Sequence, residues 1–84
     1  MRYYIDDMES VKPWETQDEH FKEDENGRWY VEDEEVYDWW IKYDWALTYL
    51  QNNLTTDELE EEESYMTGDL NEYIWLAEEL QENA

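Results

Sequence analysis

The groups in this chain that could do chemistry are carboxylates, and the densest run of them lies in the second half of the sequence. Between Asp57 and Glu63, six of seven residues are acidic. Helix neighbours three or four residues apart lie ~5–6 Å from one another, and adjacent phosphates of a DNA strand have a similar, slightly larger separation. The run is therefore either a solvated helix face or a surface whose charges are spaced like those of a nucleic-acid backbone. Its acidic members are Asp57, Glu58, Glu60, Glu61, Glu62 and Glu63.

Two further acidic groups lie on other predicted elements. The group at the start of the first predicted helix consists of Glu32, Asp33, Glu34, Glu35 and Asp38, and the group at the tip of a predicted hairpin consists of Glu23, Asp24 and Glu25. Like charges at helix spacing destabilise a helix by roughly 0.2–0.5 kcal/mol per pair. Three acidic groups on separate elements indicate a charged surface rather than an acidic tail, and we expect this surface to bind a partner.

Other chemistries have weaker support. The segment Asp24-Glu25-Asn26-Gly27 resembles part of an EF-hand loop, but aligning Gly27 with the loop glycine puts Lys22 at the first ligand position, where a lysine cannot bind calcium. The single histidine, His20, is more typical of a surface residue than of a general base, and no cysteine is present. Among 26 acidic residues some carboxylate pair always has a suitable spacing, so such a pair carries no information. We predict no metal, no cofactor and no enzyme activity.

The charge balance and the aromatic content together indicate a folded core beneath a carboxylate shell. The formal net charge is −21 on 84 residues, yet the chain has six Trp, eight Tyr and one Phe. Disordered acidic tails are poor in aromatic residues. A compact chain of this length has a radius of gyration of about 12 Å and a diameter of roughly 30 Å. A duplex of ~30 Å carries roughly 18 phosphate charges, close to the charge of this chain.

These groups are expected to be positioned by an α+β fold, in which a small antiparallel sheet precedes three helices within one domain over residues 1–84. Residues 2–6 predict a strand. Residues 7–18 predict a loop that Val11 and Trp14 attach to the core. Residues 20–31 predict a hairpin whose Asn26-Gly27 turn has positive φ at both positions, with Trp29 and Val31 on one face and Tyr30 on the other.

The helices follow from apolar spacing and capping signals. A stripe at steps of four and three predicts a first helix over 34–53, formed by Val36, Trp40, Tyr43, Leu47, Leu50 and Leu54. Thr55 and Glu58 have the spacing of a capping box, which predicts a second helix to about Met66. Thr67-Gly68 ends it, and Asp69 with Glu72 repeats the cap spacing. The third helix is expected to bury Leu70, Tyr73, Ile74, Ala77 and Leu80.

A second set of apolar residues lies opposite or beside the core stripe of the first helix. It consists of Tyr37, Ile41, Trp45 and Tyr49. A helix that is apolar all round is normally buried on two sides, which favours a central helix between the sheet and the other helices. The alternative is an exposed aromatic patch that serves homodimer formation or target binding, since Tyr and Trp are enriched at binding hot spots.

In composition and size, the chain resembles the phage-encoded DNA-mimic inhibitors, which include anti-restriction proteins, uracil-DNA glycosylase inhibitors and acidic anti-CRISPR proteins. The resemblance covers the charge pattern of the whole chain but no sequence motif, so it transfers no functional residues. It implies that a rigid acidic surface fills the basic groove of a DNA-handling protein and excludes nucleic acid. Charge complementarity would speed such an association.

The expected partner is therefore a basic nucleic-acid-binding protein, such as a nuclease, a restriction or CRISPR effector, or a repair enzyme. Nucleic acid and anionic lipid repel an anionic surface, so we expect neither direct nucleic-acid binding nor membrane binding. The first residues lack the apolar segment of a signal peptide, which favours a cytoplasmic location, in the host cell if the chain is phage-encoded. Two alternatives stay open: a small acidic adaptor that binds through the Trp/Tyr helix face, and a halophilic-type acidic surface.

Overall fold

A three-stranded antiparallel sheet followed by three helices forms the fold of residues 1–83, which the computed structural model describes. This confirms the predicted α+β class. The strands are β1 (Tyr3–Tyr4), β2 (Lys22–Glu23) and β3 (Trp29–Val31), in the order β1-β3-β2, and the helices are α1 (Glu34–Asn53), α2 (Thr56–Glu63) and α3 (Asn71–Glu82). Because β3 is central and leads almost directly into α1, the sheet is joined to the helices through its middle strand.

The β2–β3 hairpin forms as predicted, but its turn differs. Lys22 pairs with Tyr30 and Glu23 with Trp29, and only Gly27, with φ of 81°, has positive φ at the tip. Asn26 keeps negative φ because the Asp24 carboxylate accepts hydrogen bonds from the Asn26 and Arg28 N–H groups, both at 2.9 Å. The loop is therefore a three-residue turn with one left-handed glycine.

Both faces of the small sheet are covered, which the alternation of β3 did not predict. Tyr30, expected on the face opposite Val31, is 7% exposed. The Tyr4 ring lies 5.8 Å from it, and the Arg2 guanidinium lies 4.6 Å from its ring centroid. Side chains of the N-terminal residues, which pair with β3 in the same sheet, therefore cover this second face of β3.

The bounds of α1 match those predicted from the sequence, and the reason is local. Asp33 is the N-cap, and its carboxylate accepts from the Glu35 and Val36 N–H groups at 2.8 and 3.3 Å. The negative charges of Glu34 and Glu35 in the first turn also stabilise the helix by interacting with the positive end of its dipole. At the other end, the Leu54 N–H donates to the Leu50 carbonyl at 2.9 Å, and the backbone becomes extended.

Two buried clusters lie along α1, so this helix is central to the whole core. The first cluster joins the sheet and the N-terminal loop to the start of α1, and its members are Ile5, Met8, Val11, Phe21, Val31 and Trp40. The second joins the end of α1 to α3, and its members are Ala46, Leu50, Ile74 and Ala77. Trp39 and Tyr43 stack on each other with ring centroids 5.2 Å apart and contact both clusters.

The loop before β2 is attached to α1 differently from the prediction. Val11 is buried as expected, but Trp14 is 57% exposed, so its predicted role in the core is wrong. The loop is held instead by Asp44 of α1, whose carboxylate accepts from the Ser10 and Val11 N–H groups at 2.7 and 2.8 Å. A polar side chain from the helix therefore satisfies the loop backbone, and Trp14 is not required for its attachment.

The segment between α2 and α3 is longer than predicted. The Thr55–Glu58 capping box forms at the start of α2. The helix ends at Glu63 rather than near Met66, and at this end the Ser64 hydroxyl donates to the Glu61 carbonyl at 2.6 Å. Glu72 reaches back to Thr67 instead of capping with Asp69.

Leu70, which was expected in the core, precedes the first residue of α3 and is 41% exposed. It lies in the N-cap position of that helix and makes no side-chain cap hydrogen bond. The expectation that α3 buries Leu70 is therefore wrong, because the helix begins after this residue.

The third helix runs in the same direction as the first. The Trp39 indole N–H donates to the Asn71 side chain at 2.8 Å, which places the start of α3 beside the first half of α1. Ala77, further along α3, shares a buried cluster with Leu50 near the end of α1. The domain is consequently elongated, with extents of 41 × 22 × 22 Å and a radius of gyration of 14.1 Å, larger than expected for a compact shape. Among residues 1–83, no helix is both long and apolar enough to cross a membrane.

Salt should stabilise this domain. Its net charge of −21 is carried by a body with a 14.1 Å radius of gyration, so the carboxylates repel one another across the whole fold. The Debye length falls from about 30 Å at 0.01 M to about 8 Å at 0.15 M salt, which screens this repulsion. Relief of about 1 kcal/mol would raise the melting temperature by about 4–8 °C. Thermal melts across that range measure the effect, and a flat or falling melting temperature would contradict it.

Candidate protein-binding surface

The acidic run of α2 lies on the outside of the helix layer. Asp57, Glu60, Glu61 and Glu62 are exposed, and their side chains make no hydrogen bond or ion pair with residues 1–83. Two other members of the run have structural roles. The Glu58 carboxylate accepts from the Thr55 N–H at 3.0 Å, and this bond lowers the pKa of Glu58. Glu63 accepts from the Tyr73 hydroxyl at 2.7 Å. The free charge of α2 is therefore concentrated in four side chains.

The contact between Tyr73 and Glu63 gives a titration prediction. The hydrogen bond to the Glu63 carboxylate, assisted by burial, raises the pKa of Tyr73 from 10.0 to about 12. Because the folded pKa lies above the ordinary value, the stabilisation is complete below pH 10 and is lost as the pH rises through about 12. Glu63→Gln should bring the pKa of Tyr73 back toward 10, as measured by NMR titration of the tyrosine ring.

The matched control for this titration is Glu62→Gln, which removes a neighbouring charge that does not contact Tyr73. If both variants moved the pKa of Tyr73 equally, general repulsion rather than the hydrogen bond would be its cause.

The acidic group at the start of α1 is separated from the α2 run. Asp33 is occupied as the N-cap, whereas the carboxylates of Glu34, Glu35 and Asp38 are exposed and free of hydrogen bonds within the described chain. Since α1 has 20 residues and rises ~1.5 Å per residue, its two ends lie about 30 Å apart. The α2 run follows the far end of α1, and its last residue, Glu63, bonds to Tyr73, whose ring lies 6.0 Å from that of Tyr43 near the middle of α1.

The hairpin tip is committed mostly to internal contacts. Asp24 holds the turn, and it also accepts from the Tyr4 hydroxyl at 3.0 Å. The Arg28 N–H is the main cause that lowers the pKa of Asp24, with Tyr4 adding to it. Glu25 lies 3.8 Å from the Arg2 guanidinium, and Glu23 is exposed in β2. Of the three tip residues, Glu23 alone presents a carboxylate with no internal partner among residues 1–83.

All five basic side chains contact groups of the protein itself. Three of them lie over an aromatic ring and also pair with a carboxylate: Arg2 with Tyr30 and Glu25, Arg28 with Tyr4 and Asp6, and Lys42 with Trp45 and Glu78. Lys22 pairs with Glu32 at 3.1 Å, and Lys12 donates to the Met8 carbonyl at 2.9 Å.

The basic residues are confined to the first half of the chain. The sequence has fourteen acidic and five basic residues up to Lys42, and twelve acidic and no basic residues from Tyr43 onward. The chain from Tyr43 onward, which contains the later part of α1 together with α2 and α3, therefore has acidic side chains but no basic side chain of its own.

The four residues that would form the alternative aromatic interface are used largely in packing. Tyr37 stacks on Tyr3 with ring centroids 5.2 Å apart, and Trp45 and Tyr49 pack against the second core cluster. Ile41 is the most open of the four, at 37% exposure. The structure places them along a central helix with half-covered side chains, rather than on one open patch.

A more exposed aromatic pair lies between α2 and α3, and sequence reasoning missed it. Trp75 is 59% exposed and Tyr65 is 76% exposed, and both line a groove with Glu62, Leu76 and Glu79. A signal was present, because Trp75 falls between the core positions Ile74 and Ala77 and off the buried stripe of α3. An off-stripe Trp on a helix faces solvent unless another element covers it.

Over residues 1–83, no group of three or more His, Cys, Asp or Glu side chains has an arrangement that could hold a metal ion. Comparison of the chain with protein-family models, with curated proteins and with solved structures finds no match.

Proposed function

We propose that this protein is a DNA-mimic inhibitor that occupies the basic nucleic-acid-binding groove of a DNA-handling protein. The observation that carries the proposal is the distribution of charge. The half of the chain from Tyr43 onward has no basic residue, and the basic side chains of the other half contact groups within the same molecule. A surface on which Glu78 alone pairs with a basic residue, Lys42, among residues 43–83 attracts a cationic groove and repels nucleic acid.

The dimensions support the same proposal. Along 41 Å, B-DNA carries about 24 phosphate charges, at one charge per ~1.7 Å of axis. The protein has a net charge of −21 over that length. A groove that holds this length of duplex would therefore meet a similar total charge, displayed on a body held rigid by its aromatic core. We place this activity in the cytoplasm of the cell that contains the target, as the phage-encoded inhibitors would require.

The adaptor function has less support. It requires an open Trp/Tyr face on α1, but Tyr37, Trp45 and Tyr49 are half-buried against the core clusters. Such residues would have to leave their packing to bind a partner.

A competition experiment tests the proposal. The immobilised protein is incubated with lysate, nucleic-acid-binding proteins that it retains are purified, and each is bound to a fluorescent DNA duplex. We expect the protein to displace the duplex stoichiometrically, with an affinity that falls as salt rises. Ternary complexes of target, DNA and this protein, or binding that does not depend on salt, would contradict mimicry and favour the adaptor.

A further inference from the structure

The groove between α2 and α3 combines exposed aromatic rings with free carboxylates. Trp75 and Tyr65 are 59% and 76% exposed, Leu76 lines the groove beside them, and Glu62 and Glu79 flank it. The side chains of Glu62 and Glu79 make no hydrogen bond or ion pair with the rest of residues 1–83. Unlike a single exposed ring, two exposed rings that line one groove form an apolar patch of the kind that binds another molecule.

The molecule itself shows what this combination of ring and carboxylate binds. Lys42 lies with its ammonium 4.6 Å from the Trp45 ring centroid and 3.7 Å from the Glu78 carboxylate. Two arginines have the same two kinds of partner: Arg28 lies 4.1 Å from the Tyr4 ring and 3.0 Å from Asp6, and Arg2 lies 4.6 Å from the Tyr30 ring and 3.8 Å from Glu25. In each case a cation contacts both an aromatic ring and a carboxylate. The α2–α3 groove has the ring and the acids, but the chain has no basic residue beyond Lys42.

We propose that this groove binds an arginine side chain of the basic partner, stacked on Trp75 and paired with Glu62 or Glu79. Arginine fits better than lysine because its planar guanidinium stacks on an indole while it donates to a carboxylate. A second copy of the chain is a poor occupant, since it has a net charge of −21 and its own basic groups already have partners. The proposal rests on the proposed function, since it assumes a basic protein partner, and it names the contact that the DNA-like charge alone would not provide.

Titration with a hexa-arginine peptide at about 0.15 M salt tests this site. The NMR signal of the Trp75 indole N–H, assigned with Trp75→Phe, should shift on binding. Trp75→Ala should weaken peptide binding by about three- to thirtyfold, which corresponds to a cation–π contact between exposed and desolvated limits. Trp14→Ala is the matched control, because Trp14 is 57% exposed and already lies near Lys12. We expect it to change the affinity less than twofold.

A second pair of variants tests the carboxylates without altering the ring. Glu62→Gln with Glu79→Gln should weaken hexa-arginine binding more than Glu9→Gln with Glu15→Gln, which removes two exposed charges elsewhere. Circular dichroism confirms that each variant is folded. Equal losses for both charge pairs, or equal affinity of Trp75→Ala and Trp14→Ala, would mean diffuse electrostatic binding and would overturn the site. Self-association that Trp75→Ala abolishes would assign the groove to a second copy and would also overturn it.

These outcomes are separable from the proposed function. If Trp75→Ala displaced DNA from the target as well as the unchanged protein, mimicry would stand and the arginine site would fall. If the unchanged protein displaced no DNA although Trp75 bound the peptide, the arginine site would stand and mimicry would fall.

Discussion

Replacing Trp40 with alanine is expected to remove about 3–5 kcal/mol from the free energy of unfolding, the cost typical of truncating a buried tryptophan. Trp40 is 5% exposed and belongs to the cluster that joins the sheet to α1. The centroid of its ring lies 4.8 Å from the ring centroids of both Phe21 and Trp39, and 5.6 Å from that of Tyr43. Small domains have only about 5–15 kcal/mol of stability. Trp40→Ala should therefore be largely unfolded near physiological temperature or melt far below the unchanged protein.

The measurement is a urea or thermal melt followed by circular dichroism, with Trp14→Ala as the matched control. Both changes delete the same side chain, but Trp14 is 57% exposed and lies outside the two clusters. The control should stay within about 0.5 kcal/mol of the unchanged protein, as surface substitutions usually do. Similar melting curves for the two variants would show that Trp40 does not anchor the sheet to α1.

The elements that could be predicted from the sequence are those that local signals determine. The bounds of α1 follow from Asp33 as cap and from the apolar stripe through Trp40 and Leu50, and the start of α2 follows from Thr55 and Glu58. In both cases the hydrogen bonds that begin the helix join residues two or three apart. Such contacts are encoded within a short window, so they could be inferred without knowing the rest of the fold.

The predictions that failed depended on tertiary contacts. Trp14 is a large aromatic residue of the kind that usually packs in a core. Asp44 on α1 holds the loop backbone instead, and the Trp14 ring remains exposed to solvent. Leu70 fits the stripe of α3, but the helix begins after it, because Glu72 bonds to Thr67 and Asp69 bonds to Asn71. Neither Asp44 nor Thr67 gives a signal in the sequence that predicts these partners.

The candidate surface was likewise predictable where it depends on local sequence and unpredictable where it depends on tertiary contacts. That the acidic run of α2 would be exposed could be read from the sequence, because consecutive carboxylates are too costly to bury without partners. Which carboxylates are free could not be predicted, since the contacts from Tyr4 to Asp24 and from Tyr73 to Glu63 join residues at least ten apart. The groove at Trp75 also required the structure, because it forms only where α2 and α3 meet.

The largest effect on function is expected from reversing the free charges of α2. Glu60, Glu61 and Glu62 are exposed and have no internal partner among residues 1–83, so changing all three to lysine should leave the fold intact. Glu63 is left unchanged because it holds Tyr73. Each exposed charge contributes about 0.2–1 kcal/mol, and a reversal changes two charge units. The triple variant should therefore lose at least about tenfold in affinity for the target, and lose its displacement of DNA in proportion.

The control must separate the position of the charge from its total. Changing Glu9, Glu15 and Glu19 to lysine alters the net charge by the same amount on exposed residues outside the helical layer. If the α2 surface replaces the phosphates in the target groove, this control should affect mainly the association rate and the salt dependence, since distant charges act through long-range steering. The α2 variant should also dissociate faster, because its charges contact the groove directly.

Equal losses in the two variants would mean that total charge, rather than a DNA-like face on α2, determines binding. A loss confined to Trp45→Ala or Tyr49→Ala, with both charge variants unaffected, would replace mimicry with the adaptor function.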